Sequence, residues 1–193
     1  MTPFRRQLLV AALALPLAST AAFAQASYPS KPVKIVVPFP PGGTSDVLAR
    51  LIGVKLGEAL GQPVLVENRA GSGGNIGADQ VAKSPADGYT LLLMDVGNLA
   101  IAPSLYKLPF NVLNDFTPVH MVAYSPHLLV TSTKVPANTV AELVAYAKSK
   151  DVRLSFAAAA GMGSATHLAG VMFARRNGID WNYVPYKGGA QAM

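Results

Sequence analysis

Val33-Lys-Ile-Val-Val-Pro-Phe-Pro-Pro-Gly-Gly-Thr-Ser-Asp-Val-Leu-Ala-Arg50 holds a strand, a turn and a helix start in one short run. Ile35, Val36 and Val37 form the apolar core of a buried strand. Pro38, Pro40 and Pro41 stop it, and Gly42-Gly43 turn the chain. Thr44, Ser45 and Asp46 are all residue types that begin helices. Behind them Val47, Leu48, Leu51, Ile52, Leu56, Ala59 and Leu60 recur at helical spacing, until Gly61 and Pro63 end the pattern. A strand, a glycine turn and a helix N-terminus in succession point free backbone N–H groups at an anion. Glycines there let a ligand approach the backbone, and the prolines stiffen the approach so that binding orders little chain. An acid at Asp46 would repel an anion. Its expected work is to stabilise the helix start, or to hold a water or a ligand hydroxyl. The plainer reading is a capped βα turn with no ligand.

The pattern returns. Arg153 to Phe156 reads as a strand, Ala157 to Gly163 as a small-residue turn, and Ser164-Ala-Thr166 as cap candidates. Leu168, Val171 and Met172 form the helix stripe, Asn177-Gly178 the stop, Trp181 to Val184 a strand, and Lys187-Gly-Gly189 a second glycine turn. The first copy has the same order, from Val33 through the strand Val64 to Glu67 to the turn Gly71-Ser-Gly-Gly74. Two α/β halves, each aiming a helix N-terminus, suggest a two-lobed clamp. Its sheets would be mostly parallel, with the ligand at the strands' carboxyl ends.

Between the halves the sequence predicts a short helix from about Asn75 to Lys83, and a strand from Tyr89 to Met94. A further short helix carries Ile101 and Leu105, and Pro103 and Pro109 read as loop. Val119, Met121, Val122, Leu128, Leu129 and Val130 read as strands crossing between domains. Thr139-Val-Ala-Glu142 reads as a capping box opening a helix.

Charged residues make up only 13% of the chain and apolar ones 51%, which is a folding composition. The net charge of +6 is spread out: no run of Lys or Arg exceeds two, and aromatic residues do not interleave with basic ones. A nucleic-acid surface is not expected. The absence of cysteine rules out disulfides and thiol chemistry. Arg5-Arg6, the apolar run Leu8 to Ala18 and Ala22-Phe-Ala24 form a secretory signal peptide, so residues 1–24 are expected to be removed and the rest exported. Arg5-Arg6 also bears a faint likeness to a twin-arginine signal. The chain stops at Met193, where a helix after Gly189 should begin, so the second half reads as C-terminally truncated.

Three chemistries are weighed against the anion clamp. Ser164 and His167, at i and i+3, could form a nucleophile pair of an exported hydrolase, but no G-x-S-x-G elbow and no orienting acid accompany them. Gly71-Ser-Gly-Gly-Asn-Ile-Gly77 with Asp95 mimics a dinucleotide fingerprint, yet Asn68-Arg-Ala70 separates the strand from the first glycine. A structural turn lining the cleft is the preferred reading. His120, His127 and His167 are scattered, which disfavours a metal site. His120 and His127 are expected to be packing or surface histidines. Asn98, at the end of a strand, could offer an amide to a ligand. No cofactor and no catalytic residue are expected.

Five segments then resemble a known family. Pro38 to Arg50, Val66 to Asn75, Ala86-Asp-Gly-Tyr-Thr90, Gly161 to Gly170 and Val184-Pro-Tyr-Lys-Gly-Gly189 are similar, in order, to the motifs of the Bug family. These are the substrate-binding proteins of tripartite tricarboxylate transporters. The resemblance covers essentially all of Tyr28 to Met193. It implies an α/β, periplasmic-binding-protein-like Venus flytrap with lobe 1 at residues 25–124 and an incomplete lobe 2 at 125–193. It also implies a monomer that captures a di- or tricarboxylate, an acidic amino acid or an aromatic acid for membrane permease subunits, or presents it to a sensor kinase. The implied clamp residues are Phe39, Pro40, Gly42, Gly43, Thr44, Ser45 and Asp46 on one side, and Gly161, Gly163, Ser164 and His167 on the other. Family members run on beyond the equivalent of Met193, and the segment Asp95 to Asn98 varies among them, so it does not name the ligand.

Overall fold

The computed structural model describes residues 28–149 and 151–193. The expected signal peptide, residues 1–24, lies outside the described residues. Residues 31–193 form one compact unit. Its first sheet has β1 (Val33–Val37) in the middle, parallel to β2 (Val64–Asn68) on one side and to β3 (Thr90–Leu92) on the other. Val33, Val36 and Val37 are fully buried and Ile35 nearly so. That is why β1 reads as an unbroken apolar run rather than an alternating one: a central parallel strand is covered on both faces. The central register pairs Ile35 with Val66 and with Leu91. Ile35, Val37 and Ala49 anchor the first core, with Phe39, Val64, Val66, Leu91 and Leu93 packed on it.

Helix α1 (Thr44–Leu60) starts from Gly43 and ends at Gly61, which takes the left-handed conformation. Its packing face differs from the expected stripe. The buried residues are Asp46, Ala49 and Gly53, whereas Val47 and Leu51 are exposed. Small residues on that face bring the helix against Val64: a Cβ placed on Gly53 would sit 3.5 Å from the Val64 Cγ1. The larger aliphatics are pushed to the flanks and the outside.

A 3₁₀ turn (Ser72–Gly74) leads into α2 (Asn75–Ala82). Helix α3 (Val96–Leu105) is capped by Asp95, whose carboxylate accepts the Gly97 N–H at 2.7 Å. Pro103 lies inside α3, not in a loop as the sequence suggested. It sits near the C-terminal end, where the helix runs only two residues further, and the Tyr106 N–H still reaches the Ala102 carbonyl.

The expected strands between Val119 and Thr131 are not formed: residues 116–132 carry no regular secondary structure. Val119, Tyr124 and Leu128 are 81%, 90% and 83% exposed. Apolar, β-branched composition alone does not make a strand. Its N–H and C=O groups need a neighbouring strand, and none of the described residues supplies one here. His120 and His127 lie in this segment and are surface residues.

Helix α4 (Val140–Ala147) opens with Thr139, whose hydroxyl accepts the Glu142 N–H. The Glu142 carboxylate reaches one residue further back than a capping box requires and accepts the Asn138 N–H at 2.7 Å. The second sheet pairs β4 (Ser155–Ala158) with β5 (Asn182–Pro185) in parallel, and α5 (Ala165–Asn177) connects them. A second core forms around Ala147, Ala174, Ile179 and Trp181, with Phe156 and Phe173 stacked on Trp181 at 5.0 and 5.6 Å. The short helix α6 (Gly189–Ala192) follows β5. The sequence repeat is therefore a structural one: β1-α1-β2 and β4-α5-β5 are each a parallel pair bridged by a helix.

Candidate functional site

The loops that leave the carboxyl ends of the strands of both sheets converge, and every expected clamp residue lies on or beside them. Pro40, after β1, meets the turn after β5: a Cβ on Gly188 would lie 3.0 Å from the Pro40 Cδ. One on Gly42 would lie 3.9 Å from the Ala190 Cβ. The turn after β2 meets the turn after β4, where a Cβ on Gly73 would lie 3.7 Å from the Ala160 carbonyl oxygen. Helix α3, after β3, meets the start of α5 through Asn98 and Gly97.

A polar knot lies under the loop Phe39 to Gly43. The Asp46 side chain, 4% exposed, turns back from the first turn of α1 and accepts the Gly42 N–H at 2.9 Å. Gly42 has φ +85°, a left-handed conformation suited to glycine. Arg50, one turn along, donates through Nε and Nη2 to both Asp46 oxygens at 3.1 and 2.9 Å. The Asn68 amide, at the end of β2, donates to Asp46 Oδ1 and to the Phe39 carbonyl, each at 3.0 Å. The Arg50 hydrogen bonds lower the Asp46 pKa to about 2, helped by the Gly42 N–H and Asn68. The negative charge expected to repel an anion is thus matched within its own turn of helix. Asp46 fixes the loop that carries Phe39, Pro40 and Gly43, while Thr44 and Ser45 occupy the first turn behind it.

At the start of α5, Ser164 is the N-cap, its Oγ accepting the His167 N–H at 3.2 Å. The same hydroxyl donates to the Gly161 carbonyl at 2.8 Å and lies 3.0 Å from Thr166 Oγ1. His167 folds back so that its Nδ1 accepts the Gly163 N–H at 3.1 Å. Accepting there requires the neutral ring, and burial lowers the His167 pKa in the same direction. The ring also stands edge-on to Tyr183 at 5.0 Å. The hydrolase pair does not assemble: Ser164 is 2% exposed, and its hydroxyl bonds to backbone and Thr166 while the imidazole bonds to Gly163.

Asn98 ties the start of α5 to the turn after β2. It is 5% exposed, its Oδ1 accepts the Ala165 N–H at 2.9 Å, and its Nδ2 lies 3.5 Å from the Gly73 carbonyl. Tyr106 adds a second tie, its hydroxyl donating to the Met162 carbonyl at 2.7 Å. The dinucleotide reading of the Gly71 turn loses its acid, because Asp95 is engaged as the cap of α3. Gly77 serves packing instead: a Cβ there would sit 2.7 Å from the Pro38 Cβ.

Arg50, Asn68 and Tyr106 belong to this constellation and were not picked out as site residues from sequence, and Gly188 was read there only as part of a glycine turn. Arg50 could have been, since an acid and an arginine at i and i+4 face each other on a helix. Asn68 and Tyr106 act across 22 and 56 residues of chain, and no local pattern marks such pairs.

Residues 48–193 match the family model described as "Tripartite tricarboxylate transporter family receptor". The protein BugT of Bordetella pertussis is 46% identical over 169 residues, covering 86% of this chain and 52% of its own length. A solved Rhodopseudomonas palustris protein, Rpa4515 with adipate, is 40% identical, with a TM-score of 0.80 and coverage of 86% of this chain and 55% of that one. MatC from the same organism, with bound malate, is 34% identical, with a TM-score of 0.76 and coverage of 86% and 56%. This chain spans about half the length of these relatives. Its α/β architecture with parallel sheets is that of the periplasmic binding proteins. By motif, fold and sequence identity, the chain belongs to the tripartite tricarboxylate transporter receptor family, that of the Bug proteins.

Proposed function

We propose that this chain supplies the ligand-gripping loops of an exported, non-enzymatic solute-binding protein that captures a small dicarboxylate for a tripartite tricarboxylate-type permease. One observation carries the reading. The N-termini of two long helices, α1 and α5, each led by a glycine turn, arrive at the same meeting of loops beyond the carboxyl ends of two parallel sheets. Each carries about half a positive charge, and at α1 no side chain caps the free first-turn N–H groups. A ligand with a carboxylate at each end would use both. The relatives solved with adipate and with malate, both dicarboxylates, support that choice. In this proposal residues 25–124 form one lobe and 125–193 the described part of the other. Phe39 to Asp46 and Gly161 to His167 are the facing jaws, and residues 1–24 direct export. Among the described residues no helix is long and apolar enough to cross a membrane.

A thermal-shift screen of the chain against adipate, malate, succinate, citrate, glutamate and benzoate tests this. A dicarboxylate at a hundredfold excess over its dissociation constant should stabilise the chain by about 2.7 kcal/mol. Equal melting temperatures with and without every acid would overturn it.

A further inference from the structure

The first sheet ends at β2, and the outer side of that strand is apolar. Among the described residues β1 is its only strand neighbour. The Val33 N–H donates to the Pro63 carbonyl, and the Arg69 N–H to the Val37 carbonyl. Backbone groups alternate in direction along a strand, so positions 63, 65, 67 and 69 face β1. Val64 and Val66 therefore turn their N–H and C=O groups outward, along the sheet's edge. Beside this edge runs a groove of about 630 Å³, with Gly53, Val54 and Gly57 of α1 on one wall and Pro63 to Val66 on the other. Val54 is 63% exposed and Leu65 54%. Edges are commonly blunted by charge, proline or a covering element. Here Pro63 stands just before the strand, and the strand's single charge, Glu67, is matched within the chain by Lys34 at 2.8 Å and by Arg69.

We propose that β2 is a self-association edge, pairing antiparallel with the β2 of a second copy about a two-fold centred on Leu65, in place of the monomer expected from the family resemblance. In that register Val64 of each copy faces Val66 of the other, and each such pair exchanges both of its N–H···O bonds. Leu65 meets Leu65 at the non-hydrogen-bonded position, where side chains approach most closely. Glu67 falls opposite Pro63 and Arg69 opposite Gly61, so no like charges meet across the seam. Val64 and Val66 point to the α1 side of the sheet, where a Cβ on Gly53 would lie 3.5 Å from Val64 Cγ1 and 3.8 Å from Val66 Cγ2. The same two valines of the second copy enter the groove, over the bare backbone of Gly53 and Gly57. The contact is isologous, so it closes at two chains.

The chain has no cysteine, so a single introduced thiol reports the seam directly. Under mild oxidation Leu65→Cys should form a covalent dimer about tenfold faster than Tyr124→Cys, even though Tyr124 is 90% exposed. Equal rates, or a faster Tyr124→Cys, would mean chance collision and overturn the seam. In sedimentation equilibrium the full chain should rise with concentration from the mass of one chain to that of two, and no further. Leu65→Lys sets two ammonium groups opposite each other and should need about tenfold more protein to associate to the same degree. Val54→Glu makes the same test from the helix wall of the groove without touching the strand. Both replace exposed side chains, and hydrogen-exchange protection in β1 should match the wild type. A single-chain mass at every concentration, growth beyond two chains, or association undiminished in both variants would each overturn the proposal.

Discussion

Asp46 and Ser164 show how one residue type can be legible while its work is not. Both stand among cap-forming residues in the sequence, and both sit in the first turn of a long helix or just before it. Ser164 does what its type suggests and caps α5. Asp46 does not cap: the N-cap of α1 is Gly43, and the Asp46 carboxylate is drawn backward and sideways by Gly42, Arg50 and Asn68. One of these partners, Asn68, is visible only once β2 lies beside β1. Removing the Ser164 hydroxyl in Ser164→Ala should cost about 1 kcal/mol in chemical denaturation, the usual worth of a cap. Acid should separate the two jaws. Asp46 has a folded pKa depressed to about 2 from 3.8, and Glu67 to about 2 from 4.5, chiefly through its hydrogen bond with Lys34. Their stabilisation is complete above the unfolded values and is lost as pH falls through about 4 toward 2. His167 is a base whose pKa is lowered by burial. The unfolded chain takes up its proton first, so stability falls as pH drops below 6.5. His167→Gln keeps an acceptor for the Gly163 N–H and removes the titration. Melting temperatures measured from pH 8 to pH 5 should decline in the wild type and stay flatter in the variant. Parallel curves would contradict this role of His167.

Elements were readable in proportion to how much of their pairing is local. The apolar run of β1, the glycine stop of α1 and the capping residue of α4 are all sequence-near signals, and they correspond to real boundaries. Helix α1 was found, but its packing face was not. Ala49 and Gly53 touch the sheet because small residues permit close approach, while hydrophobicity alone favours the Leu51 side. The Val119 to Thr131 segment failed for the opposite reason. Its composition suits a strand, but a strand exists only with a partner, and sequence says nothing of where a partner lies. Two substitutions of similar chemistry should separate these cases. Val36→Ala removes two methyl groups from a fully buried site in β1, and should cost about 2 kcal/mol or more. Leu128→Ala removes more carbon from an exposed site, and should lie within about 0.5 kcal/mol of wild type. A large loss at Leu128 would mean that this segment packs against something in solution.

At the scale of the molecule, the repeat of β1-α1-β2 in β4-α5-β5 was the most legible feature. It pairs each strand with its glycine turn and helix, and both copies end at the same meeting of loops. What sequence could not show was how the loops of the two copies are tied together: by Asn98 in a helix that belongs to neither copy of the repeat, and by Tyr106 at its end. Their contacts span 67 and 56 residues, and only the folded chain brings them together. The central claim is that both helix N-termini serve one small dianion. Backbone amide chemical shifts recorded during an adipate titration test it most directly. Gly43, Thr44 and Ser45 at α1 and Ala165 and Thr166 at α5 should move together, along one binding curve. Movement confined to one of the two helix starts, or centred elsewhere on the chain, would contradict a two-jawed carboxylate clamp.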